Sequence, residues 1–301
     1  MDDDQHQLVG QFLDHLRLER NLSPHTIKSY RRDLVCLVAF CEERGITSWL
    51  RLTSPDVRGY AARIHGQGLS PRSIQRRLSG LRSFMNYLVR ENLLRQNPAV
   101  DVAAPKAGRN LPGTLDIEQM GRLLAVPGKD PVGQRDRAMM ELFYSSGLRL
   151  AELVDLDPPD VDLDDGLVRV TGKGRKDRII PVGRKARDAI SAWLRMRPEL
   201  AAVDESALFV GTRGRRISPR SIQQRVRYWA QQAGIPQRVY PHLFRHSFAT
   251  HVLESSRDLR GVQELLGHAD ISTTQVYTHL DFQHLAQIYD KAHPRARRRS
   301  K

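Results

Sequence analysis

The stretch NPAVDVAAPKAGRNLPGTL, residues 97–115, is where the pattern of this chain breaks. Pro98, Pro105 and Pro112 each remove a backbone donor, and the alanines, glycines and two cations between them carry no apolar stripe. Neither a continuous helix nor a central strand runs through such a segment, so it reads as an extended, basic linker. The expected organisation is a first domain over 1–97, a linker over 98–114 and a second domain over 115–301. A chain of 301 residues is long enough to give each domain a core of its own.

The first hundred residues read as wholly helical. Leu8, Phe12, Leu13 and Leu16 recur at three- and four-residue steps. Ser23-Pro24, Ser54-Pro55 and Ser70-Pro71 each predict a helix start, with serine as cap and proline at the first helical position. Four helices with short connections make a small bundle. The fourth helix carries Arg72, Gln75, Arg76, Arg77 and Arg82 on its less apolar side. That face suits a DNA major groove, or is a plain solvated basic face.

The second part is mixed. A helix follows Asp116, another covers about 134–146 and stops at Gly147, and helical spacing resumes at Leu148-Arg149-Leu150-Ala151-Glu152-Leu153. The runs 167–170 and 178–182 predict a hairpin around the glycine-containing basic turn TGKGRKD. Further helices are expected over about 186–196 and 218–233. The fold class is therefore mainly α with a small β-sheet.

Charge narrows the partner. The formal net charge is +14, and both halves are basic: 17 Lys/Arg against 11 Asp/Glu up to residue 110, and 31 against 23 beyond it. A polyanion gripped by both domains explains this better than a basic tail does, an arginine-rich soluble protein being the plain alternative. No apolar run approaches the ~20 residues of a membrane span. The acidic start MDDDQHQLVG has no apolar signal core, so a cytoplasmic location is expected. Cys36 and Cys41, five apart, read as reduced and packed.

The chemistry concentrates between Tyr240 and Leu280, where His242, Arg245, His246, His251, His268, Tyr277 and His279 fall in one segment. A tyrosine near a C-terminus is usually packed, but Tyr277 stands among Thr273, Thr274, Thr278 and His279, just beyond Leu266-Gly267-His268. A phenol is a poor nucleophile unless a base or local positive charge helps it. His242 and His268 offer the first, Arg149 and Arg245 the second. A helix starting at Pro241 would bring His242 and Arg245, three apart, to one face as donors to a phosphate. His246 and His251 are expected to pack or cap. His242 and His246, four apart, raise a zinc site, yet HLFRH lacks the metalloprotease glutamate. Lys173 in its Gly-flanked turn reads equally as a proton donor to a leaving oxygen or as a DNA clamp. The phosphate-loop pattern is absent, which disfavours nucleotide hydrolysis.

The blocks SGLRLAEL, TGKGRKDR, HLFRHSFAT, LLGH and TTQVYTH stand in that order, and together they resemble the tyrosine site-specific recombinases of the phage integrase family. The resemblance covers essentially the whole chain and is closest to the cellular Xer recombinases. It implies an N-terminal SAM-like helical DNA-binding bundle and a C-terminal catalytic domain. It also implies roles: Tyr277 the nucleophile, Arg149 and Arg245 the holders of the scissile phosphate, Lys173 the donor to the leaving 5′-oxygen, and His242 and His268 aids to proton transfer. No metal or other cofactor is implied, because bond energy is kept in a 3′-phosphotyrosyl ester. The implied partners are a double-stranded DNA recombination site, a XerD-like recombinase completing a heterotetramer, and a septal DNA translocase as activator, with no membrane. The implied biological task is resolving chromosome dimers at cell division. The helix expected over 282–292 would dock into a neighbouring subunit or pack on its own domain. Asp155 stands where the family often has a small residue, and the additional arm-binding domain that many phage integrases carry is not expected here. A phage- or transposon-type integrase and a type IB topoisomerase are the rival activities. A non-enzymatic DNA-binding protein would explain the charge but not the ordered Arg, Lys, His and Tyr set.

Overall fold

The structure, a computed structural model, describes residues 1–105, 113–172, 177–266 and 293–294. The chain divides into two compact units, Met1–Asn110 and Leu111–Lys301. Four helices build the first: α1 (Asp3–Leu18), α2 (Pro24–Glu43), α3 (Ser54–Gly66) and α4 (Pro71–Arg90). Ser23 and Ser70 cap α2 and α4 as their Ser-Pro pairs predict, accepting from the backbone N–H of Thr26 and Ser73. The third pair differs. Ser54 is already helical, and Thr53 is the cap, because Asp56 three residues on returns its carboxylate to the Thr53 N–H at 3.0 Å. That reciprocal box satisfies two orphan donors where a lone serine satisfies one.

The apolar stripes of these helices meet in a core that includes Phe12, Leu16, Leu37, Ile74 and Phe84. Trp49 is fully enclosed there, its indole N–H donating to the Gln5 carbonyl at 2.9 Å. The start of the expected linker belongs to this core as well. Ala99 and Val102 are buried in it, and Arg82 of α4 holds their carbonyls at 2.9 and 2.6 Å. Asn97 adds bonds to Asn86 Oδ1 and to the Ala99 N–H. Chain that looked extended from its prolines is strapped down by side chains of α4.

In the second unit α5 (Ile117–Leu124), α6 (Pro131–Ser146) and α7 (Leu150–Asp155) precede an antiparallel sheet of β1 (Val161–Asp162), β2 (Leu167–Thr171) and β3 (Asp177–Pro181) in that spatial order. Then come α8 (Arg184–Met196), α9 (Pro219–Gln232), α10 (Pro241–Ser256) and α11 (Leu259–Leu266). Helix α6 is the central post: apart from Arg137, every residue from Gly133 to Ser146 is buried. Phe143 packs on Phe244 of α10, and the buried Asp136 carboxylate takes Arg135 of its own helix and Trp229 of α9. His293, fully buried, returns to this core: its ring lies against Tyr144 and Phe248, and Nε2 reaches the Tyr144 carbonyl at 3.1 Å. Among the described residues no helix is long and apolar enough to cross a membrane.

A buried carboxylate locks the first unit. Asp33 of α2, 2% exposed, receives both terminal nitrogens of Arg76 from α4, with Arg77 Nε at 3.6 Å. An ion pair with so little solvent around its carboxylate is hard to break one-sidedly, since the orphaned partner stays partly buried. Asp33→Ala is expected to destabilise this unit by about 2 kcal/mol, read by chemical denaturation. A midpoint unmoved by the change would make the Asp33–Arg76 contact incidental.

Candidate active site

The site begins where α6 stops. Gly147 ends the helix in the left-handed region (φ 58°, ψ 31°), with its N–H on the Phe143 carbonyl at 3.0 Å. A side chain at that φ is strained, so the glycine lets the chain reverse without that strain. Leu148, buried, pins the turn, and Arg149 follows in extended conformation at the start of α7.

Glu152 organises what comes next. Its side chain is only 4% exposed, and both oxygens are fully engaged. Oε2 accepts the Arg149 backbone N–H and Oε1 the Arg149 guanidinium, each at 2.8 Å. Arg178 of β3 approaches from the other side, NH1 on Oε1 and NH2 on Oε2, again at 2.8 Å. Burial pushes the Glu152 carboxyl upward, but the hydrogen bonds from Arg178 and Arg149 outweigh it and leave it below its ordinary value. It is therefore ionised at neutral pH.

Arg245 enters from α10. It is buried, and its NH1 donates to the Gly147 carbonyl at 2.7 Å, so the same glycine that ends α6 anchors a second arginine. Burial pulls the Arg245 guanidinium down to about 10, and repulsion from Arg149 and then Arg178 adds to this, with Glu152 opposing. It remains charged at pH 7. Three guanidiniums around one carboxylate leave a net positive, partly desolvated place, with Arg149 the most open of the three cations. Such a place attracts an anion with several acceptor oxygens, and planar forks suit a phosphate.

The histidines fall otherwise. His242 and Arg245 share the first turns of α10, yet Arg245 turns under to Gly147 while His242 stays exposed with its ring 4.5 Å from that of His246. His246 is pushed down by burial first, then by His242 and Arg245. Among the described residues no third ligand joins this pair. His251 is a core residue, its Nδ1 2.8 Å from the Tyr144 hydroxyl. Lys173, His268 and Tyr277 lie outside the described residues, as do 282–292. For Lys173 the flanking strands are in place: Thr171 pairs with Asp177, and the Thr171 hydroxyl donates to Asp177 Oδ1 at 2.7 Å across the base of its turn.

Of the residues expected on DNA, Arg72 and Gln75 are exposed, while Arg76, Arg77 and Arg82 have the internal partners already described. Sequence reasoning passed over Glu152 and Arg178, and also the cations of α2. Lys28, Arg31 and Arg32 are exposed and line a groove along α2 with Val35, which is 61% exposed. The run Lys28-Ser29-Tyr30-Arg31-Arg32, three cations within five residues, was the available signal there.

Residues 114–284 match the phage integrase family, and residues 9–92 match the N-terminal SAM-like domain of phage integrases. The chain is 56% identical to tyrosine recombinase XerC of Azotobacter vinelandii, over 96% of each chain. It is 53% identical to tyrosine recombinase XerC of Alcanivorax borkumensis, over 99% of this chain and 98% of that one. Among solved structures, the XerH site-specific recombinase bound to its palindromic difH substrate superposes with a TM-score of 0.71 at 24% identity, covering 94% of this chain and 84% of that one. A helical SAM-like domain, an integrase domain with a small sheet, and relatives at this identity lead to one assignment: the chain belongs to the phage integrase family and is a tyrosine recombinase, an enzyme that cuts and rejoins DNA.

Proposed function

We propose that this chain is the XerC-type member of a two-recombinase system. With a XerD-like partner it forms a heterotetramer on a chromosomal recombination site and resolves chromosome dimers at cell division, with a septal DNA translocase as activator and the cytoplasm as its location. The identity to XerC proteins along nearly the full chain supports this, and the ending YTHLDFQHLAQIYDKAHPRA resembles XerC more than XerD. The observation that carries the chemistry is the cluster of Arg149, Arg178 and Arg245 around Glu152.

In this reading the scissile phosphate rests on Arg149 and Arg245. The Tyr277 oxygen forms a bond to phosphorus while the bond from phosphorus to the 5′-oxygen breaks. The phenolic proton passes to a base, His242 or His268, and Lys173 gives a proton to the leaving 5′-oxygen. The product is a 3′-phosphotyrosyl ester and a free 5′-hydroxyl. A 5′-hydroxyl from the partner duplex then attacks the ester and restores the tyrosine. The arginines act by stabilising the charge that gathers on the non-bridging oxygens, where one lost donor is worth about 2.7–4 kcal/mol. DNA outside the reacting phosphate is gripped by the exposed cations Arg72 of α4 and Lys28, Arg31 and Arg32 of α2, with Gln75 of α4 as a neutral hydrogen-bonding neighbour. Arg76, Arg77 and Arg82 hold the bundle that presents them. The helix over 282–292 docks into the neighbouring subunit.

On a nicked suicide substrate, Tyr277→Phe is expected to keep DNA binding and to lose the denaturant-resistant covalent complex entirely. A covalent adduct surviving the change would reassign the nucleophile. Adding the partner recombinase and a second duplex should give strand exchange, whereas resealing of the same strand alone would favour a topoisomerase. Arg245→Ala should slow cleavage by roughly 100- to 1,000-fold while binding changes little. Equal losses in both would make Arg245 a DNA clamp.

Glu152 gives the site a pH dependence with a defined sign. Its folded pKa lies below the ordinary value of 4.5, so its stabilisation is present above 4.5 and fades as pH falls through the lowered folded value. Glu152→Gln, which places an amide donor against arginine donors, should lower stability at pH 7 by about 3 kcal/mol. The gap to the unaltered protein should narrow below pH 4.5 in denaturation curves. A gap independent of pH would remove the ion pair as its cause.

A further inference from the structure

Arg178 occupies an unusual place on β3. It stands opposite Val170 of β2, on the row that also includes Val168 and Ile180, all three of them buried. A guanidinium on a core-facing row costs free energy unless its charge and donors are met. Both terminal nitrogens of Arg178 go to Glu152, and its buried Nε has no partner among the described residues. With a side chain only 14% exposed, its charge is committed to that one carboxylate.

The acceptor positions of Glu152 are divided between two residues. An ionised carboxylate offers about four. Arg178 takes one on each oxygen, the Arg149 backbone N–H takes one on Oε2, and Arg149 NH1 takes one on Oε1. Among the described residues no bond engages Arg149 Nε or NH2, and that side chain is 44% exposed. Arg149 is thus tied to Glu152 by one side-chain bond and keeps free donors. Without Arg178, the carboxylate would have an empty position on each oxygen beside a guanidinium whose fork fits both at once. That bidentate pairing would turn the Arg149 fork toward Glu152 and cancel its charge.

We propose that Arg178 is a positioning residue for Arg149. It occupies half of Glu152, so the Arg149 fork stays open and charged toward the scissile phosphate. The proposal rests on the reading of Arg149 as a phosphate holder. Lysine at 178 does not replace the arginine, because a point charge cannot span both carboxylate oxygens as the planar fork does.

The test uses the full-length protein and two nicked suicide substrates. One has the ordinary scissile phosphodiester, and the other a methylphosphonate there, with a methyl group in place of one non-bridging oxygen. The methylphosphonate carries no negative charge, so a site deprived of an arginine is handicapped on the first substrate and much less on the second. Arg178→Ala is expected to slow single-turnover cleavage of the phosphodiester by roughly 100-fold, the scale of a misplaced catalytic group. DNA binding should hold, and most of the loss relative to the unaltered protein should vanish on the methylphosphonate. Arg178→Lys, which keeps the charge and loses the fork, should show the same pattern. Both rates come from one protein preparation, so their ratio is insensitive to any fraction that fails to fold. Arg149→Ala is the control. If the methyl group relieves it while Arg178→Ala is slowed equally on both substrates, the Arg178 proposal is overturned and the Arg149 role stands. If Arg178→Lys cleaves the phosphodiester at the unaltered rate, charge alone suffices and the proposal is likewise overturned. If Arg149→Ala itself shows no relief, the reading of Arg149 as a phosphate holder fails and the proposal falls with it.

Discussion

The arginine cluster of the second unit depends on one carboxylate. Arg149, Arg178 and Arg245 repel one another at close quarters in a place with little water, as the downward pull on Arg245 records. Glu152 makes their gathering tolerable by taking four hydrogen bonds, two from each of its arginine neighbours. It does so without cancelling their charge. Three cations less one anion leave two positive charges, more than a phosphodiester carries and nearer to what a five-coordinate phosphorus bears. On the proposed reading of Arg149 and Arg245 as phosphate holders, a site balanced this way binds the transition state better than the ground state, which is the requirement for rate.

The same device recurs away from the chemistry. Asp33 joins α2 to α4 through Arg76, and Asp136 joins α6 to α9 through Trp229 while holding Arg135. In each case a nearly solvent-free carboxylate sits at a junction between elements and accepts from more than one donor. A chain with 48 basic residues cannot send all of them to its ligand. Some are consumed inside, and these junctions are where they go.

This separates what sequence could reveal from what it could not. Ser23-Pro24, Ser70-Pro71 and Ser218-Pro219 announce their helices, because a cap needs only residues a few positions apart. The hairpin and the glycine stop at 147 are local in the same sense. Arg149 and Arg245 were legible as candidates through the family's ordered blocks. Glu152 and Arg178 were not, since their meaning lies in a contact between positions 26 apart along the chain. Arg76 and Arg82 look like surface cations in one dimension and become fastenings in three. Ala99 and Val102 looked like linker because prolines flank them, and only the carbonyl bonds to Arg82 make them core.

The burial of His293 bears on how the second unit is closed off at its C-terminal end. Val262 and Leu265 of α11 lie in the core of the second unit, and His293 returns to that same unit against Tyr144 and Phe248. Two anchors on one body, the α11 pair before residue 267 and His293 after residue 292, thus belong to a single core. A ring set between Tyr144 and Phe248 makes this last anchor part of the packing that joins α6 to α10, so truncating His293 would open a void inside the unit rather than fray its edge.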